Sequence, residues 1–258
     1  MKRSLSCLIL AGFLAACQNP GKKDPNRSMD DTARQIQSPT SQRFEPVKGK
    51  ESDIPAAIRP PGTLQDIWKW ADATGENLLI TTFVDPFDDS EKDEFGEQGQ
   101  TAEIYALQFL KSDTGFQRIW MIHEKQKACP FDITCAFVKD AITITDLDTD
   151  RVAEVTLLYR LACRSDVSPA VLKLVMHEGE TKYGFTGLSW VQSDPGEKFT
   201  VTEKDACLEN LPGYRGTDAE MYQTFGRYET EKDFRGAPAN FLSHAREQWM
   251  RHAKELFE

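Results

Sequence analysis

The sequence predicts a mainly β (α+β) fold, an antiparallel meander of hairpins with one C-terminal amphipathic helix packed on the sheet. Three observations carry this expectation. From about residue 63 onward, runs rich in Val, Ile, Thr and aromatic residues alternate apolar and polar positions with period two. Asp, Thr and Gly separate several of these runs at hairpin spacing. The segment 237–258 then changes to a helical period.

The chain opens with Lys2 and Arg3, followed by an apolar run over residues 5–14. That run is too short to span a bilayer as a helix. It has the layout of a signal peptide, which occupies residues 1–16. It ends in Leu14-Ala15-Ala16-Cys17, which resembles a bacterial lipobox. The resemblance implies cleavage before Cys17 and lipidation of that cysteine, so that the membrane is reached through N-terminal lipid. An ordinary signal peptide cleaved near the same small residues is the alternative. Gln18 rather than Asp follows Cys17, a pattern similar to that sorted to the outer membrane. The expected location is therefore the outer membrane, lipid-anchored, with the domain in the periplasm or at the cell surface.

Residues 17–62 are rich in Pro, Ser, Asp, Lys and Gln, with Phe44 their only aromatic. Such a stretch buries too little apolar surface to offset the entropy of ordering, and it reads as a disordered tether after the lipidated cysteine. The alternative is that "IPAAIRPPG" (residues 54–62) packs on the domain as an extended arm. Residues 63–258 have the length of a single β-rich domain.

Within that domain, "DIWKWADATGENLLITTFV" predicts a hairpin that turns over residues 72–77. A second hairpin follows in "EIYALQFLKSDTGFQRIWMIHE", turning over residues 112–115. The acidic, glycine-bearing run "DPFDDSEKDEFGEQGQ" between them reads as a solvated loop. Strands or hairpins are expected in "CAFVKDAITITD", "EVTLLYRLAC", "VLKLVMHEGETKYGFTG" and "KFTVTEK". Val155, Leu157, Tyr159 and Leu161 share one strand face, and Leu158 on the other marks a strand covered on both sides. At the C-terminus, Phe241, Ala245, Trp249, Ala253 and Leu256 form one helical stripe. Pro238 suits the helix start, and Arg251, His252 and Lys254 suit its end.

The formal net charge is −10, and removal of Lys2 and Arg3 with the signal brings it to about −12. So acidic a chain is a poor ligand for nucleic acid or anionic headgroups. Of six cysteines, Cys7 leaves with the signal and Cys17 takes lipid. Cys129, Cys135, Cys163 and Cys207 remain, an even number suited to an oxidising compartment. Two disulfides are expected. Cys129–Cys135 with Cys163–Cys207 is favoured because the first pair is close in sequence, although three connectivities are open.

The motif with chemical content is "DLDTDRVAE". Asp146, Asp148 and Asp150 occupy its first, third and fifth places, Val152 can offer a carbonyl at the seventh, and Glu154 holds the ninth. Calcium takes six to eight oxygens, and alternate carboxylates around a tight loop supply several of them. The loop runs into a strand, unlike an EF-hand, and is similar to the β-flanked D-x-D-x-D-G loops of integrin-type and other extracellular β-domains. Arg151 stands where those loops have Gly for a positive φ, at a cost of about 1 kcal/mol. Two readings follow: a calcium site, or a turn that is solvated or bridged by Arg151. His123 and His177, in "MIHEKQK" and "VMHEGETK", fit no H-E-x-x-H metal motif. His244 and His252 are too far apart on one helix to share a metal unaided.

"WKWADATGENLLI", the block "ITITDLDTDRVAEVTLLYRLACRSDVSPAVLKLVMHEGETKYGFTG" and the ending "FLSHAREQWM" resemble a family of exported bacterial proteins labelled surface-polysaccharide biosynthesis proteins. The resemblance implies a role in making or displaying surface polysaccharide, with polysaccharide or envelope proteins as partners, and it implies no catalytic residues. In that family Asn or Asp followed by Gly is common in the acidic loop, and Arg151 departs from it. The expected function is a non-catalytic envelope lipoprotein. The rival is a carboxylate-dependent enzyme on surface glycan, using Glu154 with a neighbour such as Asp166.

Overall fold

The computed structural model describes residues 44–92, 96, 98–192 and 194–255. The expected signal peptide, the expected lipidation at Cys17, the expected tether as far as residue 43, and Leu256 of the expected helical stripe lie outside the described residues.

Strands β1 (Val47–Lys48), β2 (Thr63–Asp72), β3 (Gly75–Lys92), β4 (Gln98–Ser112) and β5 (Gly115–Cys129) form one antiparallel sheet in chain order. Asp72 pairs with Gly75 and Ser112 with Gly115, so each hairpin turns over two residues. Both glycines have positive φ, 131° and 132°, where a side chain would be strained. The first turn is thus shorter than the expected span 72–77. A larger correction concerns the acidic run after it. Instead of a loop, β3 continues to Lys92 and β4 begins at Gln98, with Phe87 pairing Thr101 and Lys92 pairing Gln98. Charged side chains on both faces do not prevent pairing where the sheet extends past its core.

The second sheet has the order β10-β9-β8-β6, with β7 also pairing β8. Its strands are β6 (Asp132–Phe137), β7 (Thr143–Thr145), β8 (Glu154–Arg164), β9 (Val171–Glu178) and β10 (Thr181–Leu188). The two sheets face each other across a core of Trp70, Leu79, Ile104, Trp120, Val155, Leu157, Tyr159 and Val175. Leu158, Leu172, Leu174 and Met176 point the other way, into a second core. There they meet α1 (Ala239–His252), whose Phe241, Ala245 and Trp249, with Ala253 just beyond it, are fully buried. Period two in β8 and period 3.6 in α1 thus meet across one interface, as the pattern predicts.

Two further expectations need correction. "KFTVTEK" forms no strand; Phe199 and Val201 pack onto the second core without ladder partners. Residues 44–62 are also not a free tether. β1 pairs with β2, Gly49 donates to the Ile67 carbonyl at 2.9 Å, and Ile54 and Ile58 pack against Ile67, Leu78, Ile80 and Leu107. These residues cover the outer face of the first sheet, which would otherwise expose apolar side chains. A Cβ at Gly49 would come within 2.5 Å of Ile67, so glycine permits the approach.

The disulfide pairing differs from the expected one. Cys129 is bonded to Cys163, with Cα atoms 5.5 Å apart, while Cys135 and Cys207 are free and buried. Register explains this. Cys163 opposes Ile133 on β6, just after the turn that follows Cys129, whereas Cys135 lies two residues further along, opposite Leu161. Cys207 sits in the core beneath α1, on the far side of the second sheet from Cys135.

Candidate functional site: the acidic loop between β7 and β8

Thr145 pairs with Glu154, so residues 146–153 close a loop on the end of the second sheet. The loop is wound by its own carboxylates. Asp150 N–H donates to Asp148 Oδ1 at 3.2 Å, Arg151 N–H to Asp146 Oδ1 at 3.3 Å, and Val152 N–H to Asp150 Oδ1 at 2.7 Å. Two residues bend the chain through positive φ, Thr149 at 64° and Arg151 at 74°. The sixth place of the loop, Arg151, is therefore left-handed, the conformation that favours Gly. Arg151 itself is exposed and forms no ion pair among the described residues, so it does not bridge the carboxylates.

Oxygens of Asp146, Asp148 and Glu154 lie within 4.8 Å of one another, and so do those of Asp148, Asp150 and Glu178. Asp148 belongs to both groups. Such acidic clusters can hold a metal ion. Glu178 is the residue missed in the sequence. It lies on β9, twenty-four positions from Glu154, and arrives only because the β8–β9 register pairs Glu154 with Glu178. No spacing rule signals that. The structure thus brings together the four carboxylates read from the motif and adds a fifth, with Val152 in the loop beside them.

Glu154 is the unusual member. It is fully buried, yet only one of its oxygens is satisfied. Oε2 accepts Leu147 N–H at 2.8 Å and Thr145 Oγ1–H at 3.1 Å. Oε1 has no partner among the described residues. Burial pushes its carboxyl up to about 7, against the pull of those hydrogen bonds, and the Asp148 charge adds to the rise. Glu178 is raised for related reasons, burial first and then the charges of Asp148 and Asp150. The side chains gathered here are all carboxylates, and a divalent cation would reverse both effects. The loop is also anchored to the helix. Asn240 Nδ2 donates to the Leu147 carbonyl, and Thr143 Oγ1 lies 3.0 Å from His244 Nε2.

The residues of the rival reading do not converge. Glu154 begins β8, whereas Asp166 follows its end at Arg164. The eleven-residue strand that starts at Glu154 holds them on the order of 35 Å apart. Asp166 is exposed, and its Oδ1 accepts Ser168 N–H at 2.9 Å, the Asx turn that holds the bend. His123 pairs with Glu103 at 3.0 Å, and His177 is buried and stacked 4.4 Å from Trp120. A groove of about 410 Å³ beside Lys69, Glu76 and Lys111 has these charges paired, Lys69 with Asp53 and Lys111 with Glu76. No helix among the described residues is long and apolar enough to cross a membrane. Comparison of the chain with protein-family models, with curated proteins and with solved structures returns no match.

Proposed function

We propose that the protein is a lipoprotein anchored in the outer membrane through Cys17, with a non-catalytic β-domain that binds calcium at the 146–154 loop and serves the envelope or its surface polysaccharide. One observation carries the calcium reading: a fully buried glutamate, Glu154, with one oxygen unpartnered among the described residues, beside other carboxylates in a calcium-type spacing. An isolated buried carboxylate is costly, and a cation offsets that cost directly. Asp146, Asp148, Asp150, Glu154 and the Val152 carbonyl would supply five oxygens, and Glu178 a sixth. An all-oxygen set of mixed carboxylate and carbonyl suits calcium, which tolerates irregular geometry, better than magnesium, which demands a tight octahedron. The anchoring rests on the lipobox-like "LAAC", and the polysaccharide role on the resemblance of the central block.

The deciding experiment is calorimetric titration with calcium, alongside thermal melts in calcium and in chelator. We expect one saturable site, a higher melting temperature with calcium, and loss of both in Asp148→Ala. No heat of binding and coincident melts would remove the metal. For the anchor, a Cys17→Ser variant is expected in the soluble fraction. For the cellular role, deletion of the gene is expected to alter surface glycan, and unchanged glycan would end that reading.

A further inference from the structure

The loop is held from outside by the turn of the β2–β3 hairpin, which belongs to the other sheet. Ala73 N–H donates to the Arg151 carbonyl at 2.7 Å, and Asp72 Oδ2 accepts Ala153 N–H at 3.2 Å. These two bonds grip consecutive peptide units. In a trans peptide the N–H and C=O point to opposite sides, and no peptide among the described residues is cis. With the Arg151 carbonyl turned out to Ala73, the same unit turns Val152 N–H in, where it donates to Asp150 Oδ1 at 2.7 Å. With Ala153 N–H turned out to Asp72, the next unit turns the Val152 carbonyl the opposite way, away from the hairpin turn.

Asp72 is itself fixed. Its Oδ2 also accepts Trp70 Nε1–H at 2.9 Å, and its Oδ1 accepts Thr74 N–H at 2.8 Å and Thr74 Oγ1–H at 2.5 Å. Thr74 Oγ1 in turn accepts Asn77 Nδ2–H, Asn77 Oδ1 accepts Gln108 Nε2–H at 2.8 Å, and Gln108 Oε1 accepts Trp120 Nε1–H at 2.6 Å. Trp120 stacks on His177, the neighbour of Glu178. The support therefore leaves the loop at Ala153, crosses the first sheet and returns beside the fifth carboxylate.

We propose that the hairpin turn is the outer half of the cation site, with Asp72 as a positioning residue that aims the Val152 carbonyl at the ion. The proposal rests on the calcium reading above and adds to it the residue that orders a backbone ligand. Partners that orient metal ligands typically account for about 10- to 100-fold in affinity.

The test is calcium titration of the full-length chain and two variants. Asp72→Ala is expected to weaken binding about 10- to 100-fold. Asp72→Asn retains a carbonyl oxygen to accept Ala153 N–H and is expected to recover most of the affinity. A merely structural Asp72 would lower the metal-free melting temperature in both variants and leave the calcium affinity unchanged. Hydrogen exchange on the unmodified protein reads the same contact without any variant: calcium is expected to slow exchange at the Ala73 and Ala153 amides. Wild-type affinity in Asp72→Ala, or unaltered exchange at both amides under saturating calcium, overturns the proposal and leaves the calcium site standing. Failure of the unmodified chain to bind calcium overturns both.

Discussion

Glu154 concentrates the electrostatics of the site in one side chain. Its folded carboxyl is raised to about 7 from an ordinary value of 4.5, so folding disfavours the ionised form. The cost is fully present above about pH 7 and disappears as pH falls below the unfolded value. Glu154→Gln should therefore raise the metal-free melting temperature at pH 8 by several degrees. Each 1 kcal/mol corresponds to about 2–4 °C at this size. The gain should shrink toward pH 5 and be absent in saturating calcium, where the variant loses the metal. Melts at both pH values, with and without chelator, check the pattern. Arg151 offers the complementary change. Arg151→Gly relieves a left-handed φ of 74° and removes a positive charge beside the carboxylates. It should tighten calcium binding, with a stability gain of at most about 1 kcal/mol, because glycine also loosens the unfolded chain.

Among the elements, the closing helix and the disulfide carry separable shares of stability. Trp249 is fully buried in α1, and its Nε1–H reaches the Gly226 carbonyl at 2.9 Å. Trp249→Ala should cost about 3–5 kcal/mol, measured by urea denaturation, because the cavity and the lost hydrogen bond act together. The Cys129–Cys163 bond closes a separation of 34 residues, for which chain entropy suggests about 3–4 kcal/mol. Cys129→Ser and Cys163→Ser should each lower stability by a similar amount, and Cys135→Ser with Cys207→Ser should leave the disulfide intact. Thiol counting on the unfolded, non-reduced chain distinguishes this pairing from Cys129–Cys135 with Cys163–Cys207, since the bond leaves two of these four cysteines free. Arg160 shows how the helix end is held: its Nη2 donates to the carbonyls of His252 and Lys254 at 2.6 and 2.8 Å.

At the scale of the whole molecule, the described residues form an arm, two sheets and a helix around three apolar clusters, and three histidines among them set an acid limit on stability. His177 is depressed to about 4, and His244 and His252 are lowered, each chiefly by burial. Below about pH 6.5 the unfolded chain binds protons that the folded chain refuses, so stability should fall from there toward pH 4. Denaturation series at pH 7, 5.5 and 4.5 should show this slope in saturating calcium, and His177→Gln should flatten it. Much of the architecture is legible from local pattern, because burial imposes its period on every element. The alternation of Val155, Leu157 and Tyr159 against Leu158 places β8 between two cores, and Phe241, Ala245 and Trp249 mark the face of α1. The spacing of Asp146, Asp148, Asp150 and Glu154 likewise marks the acidic loop, since these carboxylates come from one short segment of chain. What sequence could not supply depends on which strands become neighbours. The bond to Cys163, the arrival of Glu178 beside Glu154, the grip of Asp72 on Ala153 and the docking of residues 44–62 all join positions distant along the chain. Local sequence determines each strand's faces and each turn's conformation; register and sheet packing, which only the assembled tertiary structure decides, determine what those faces meet.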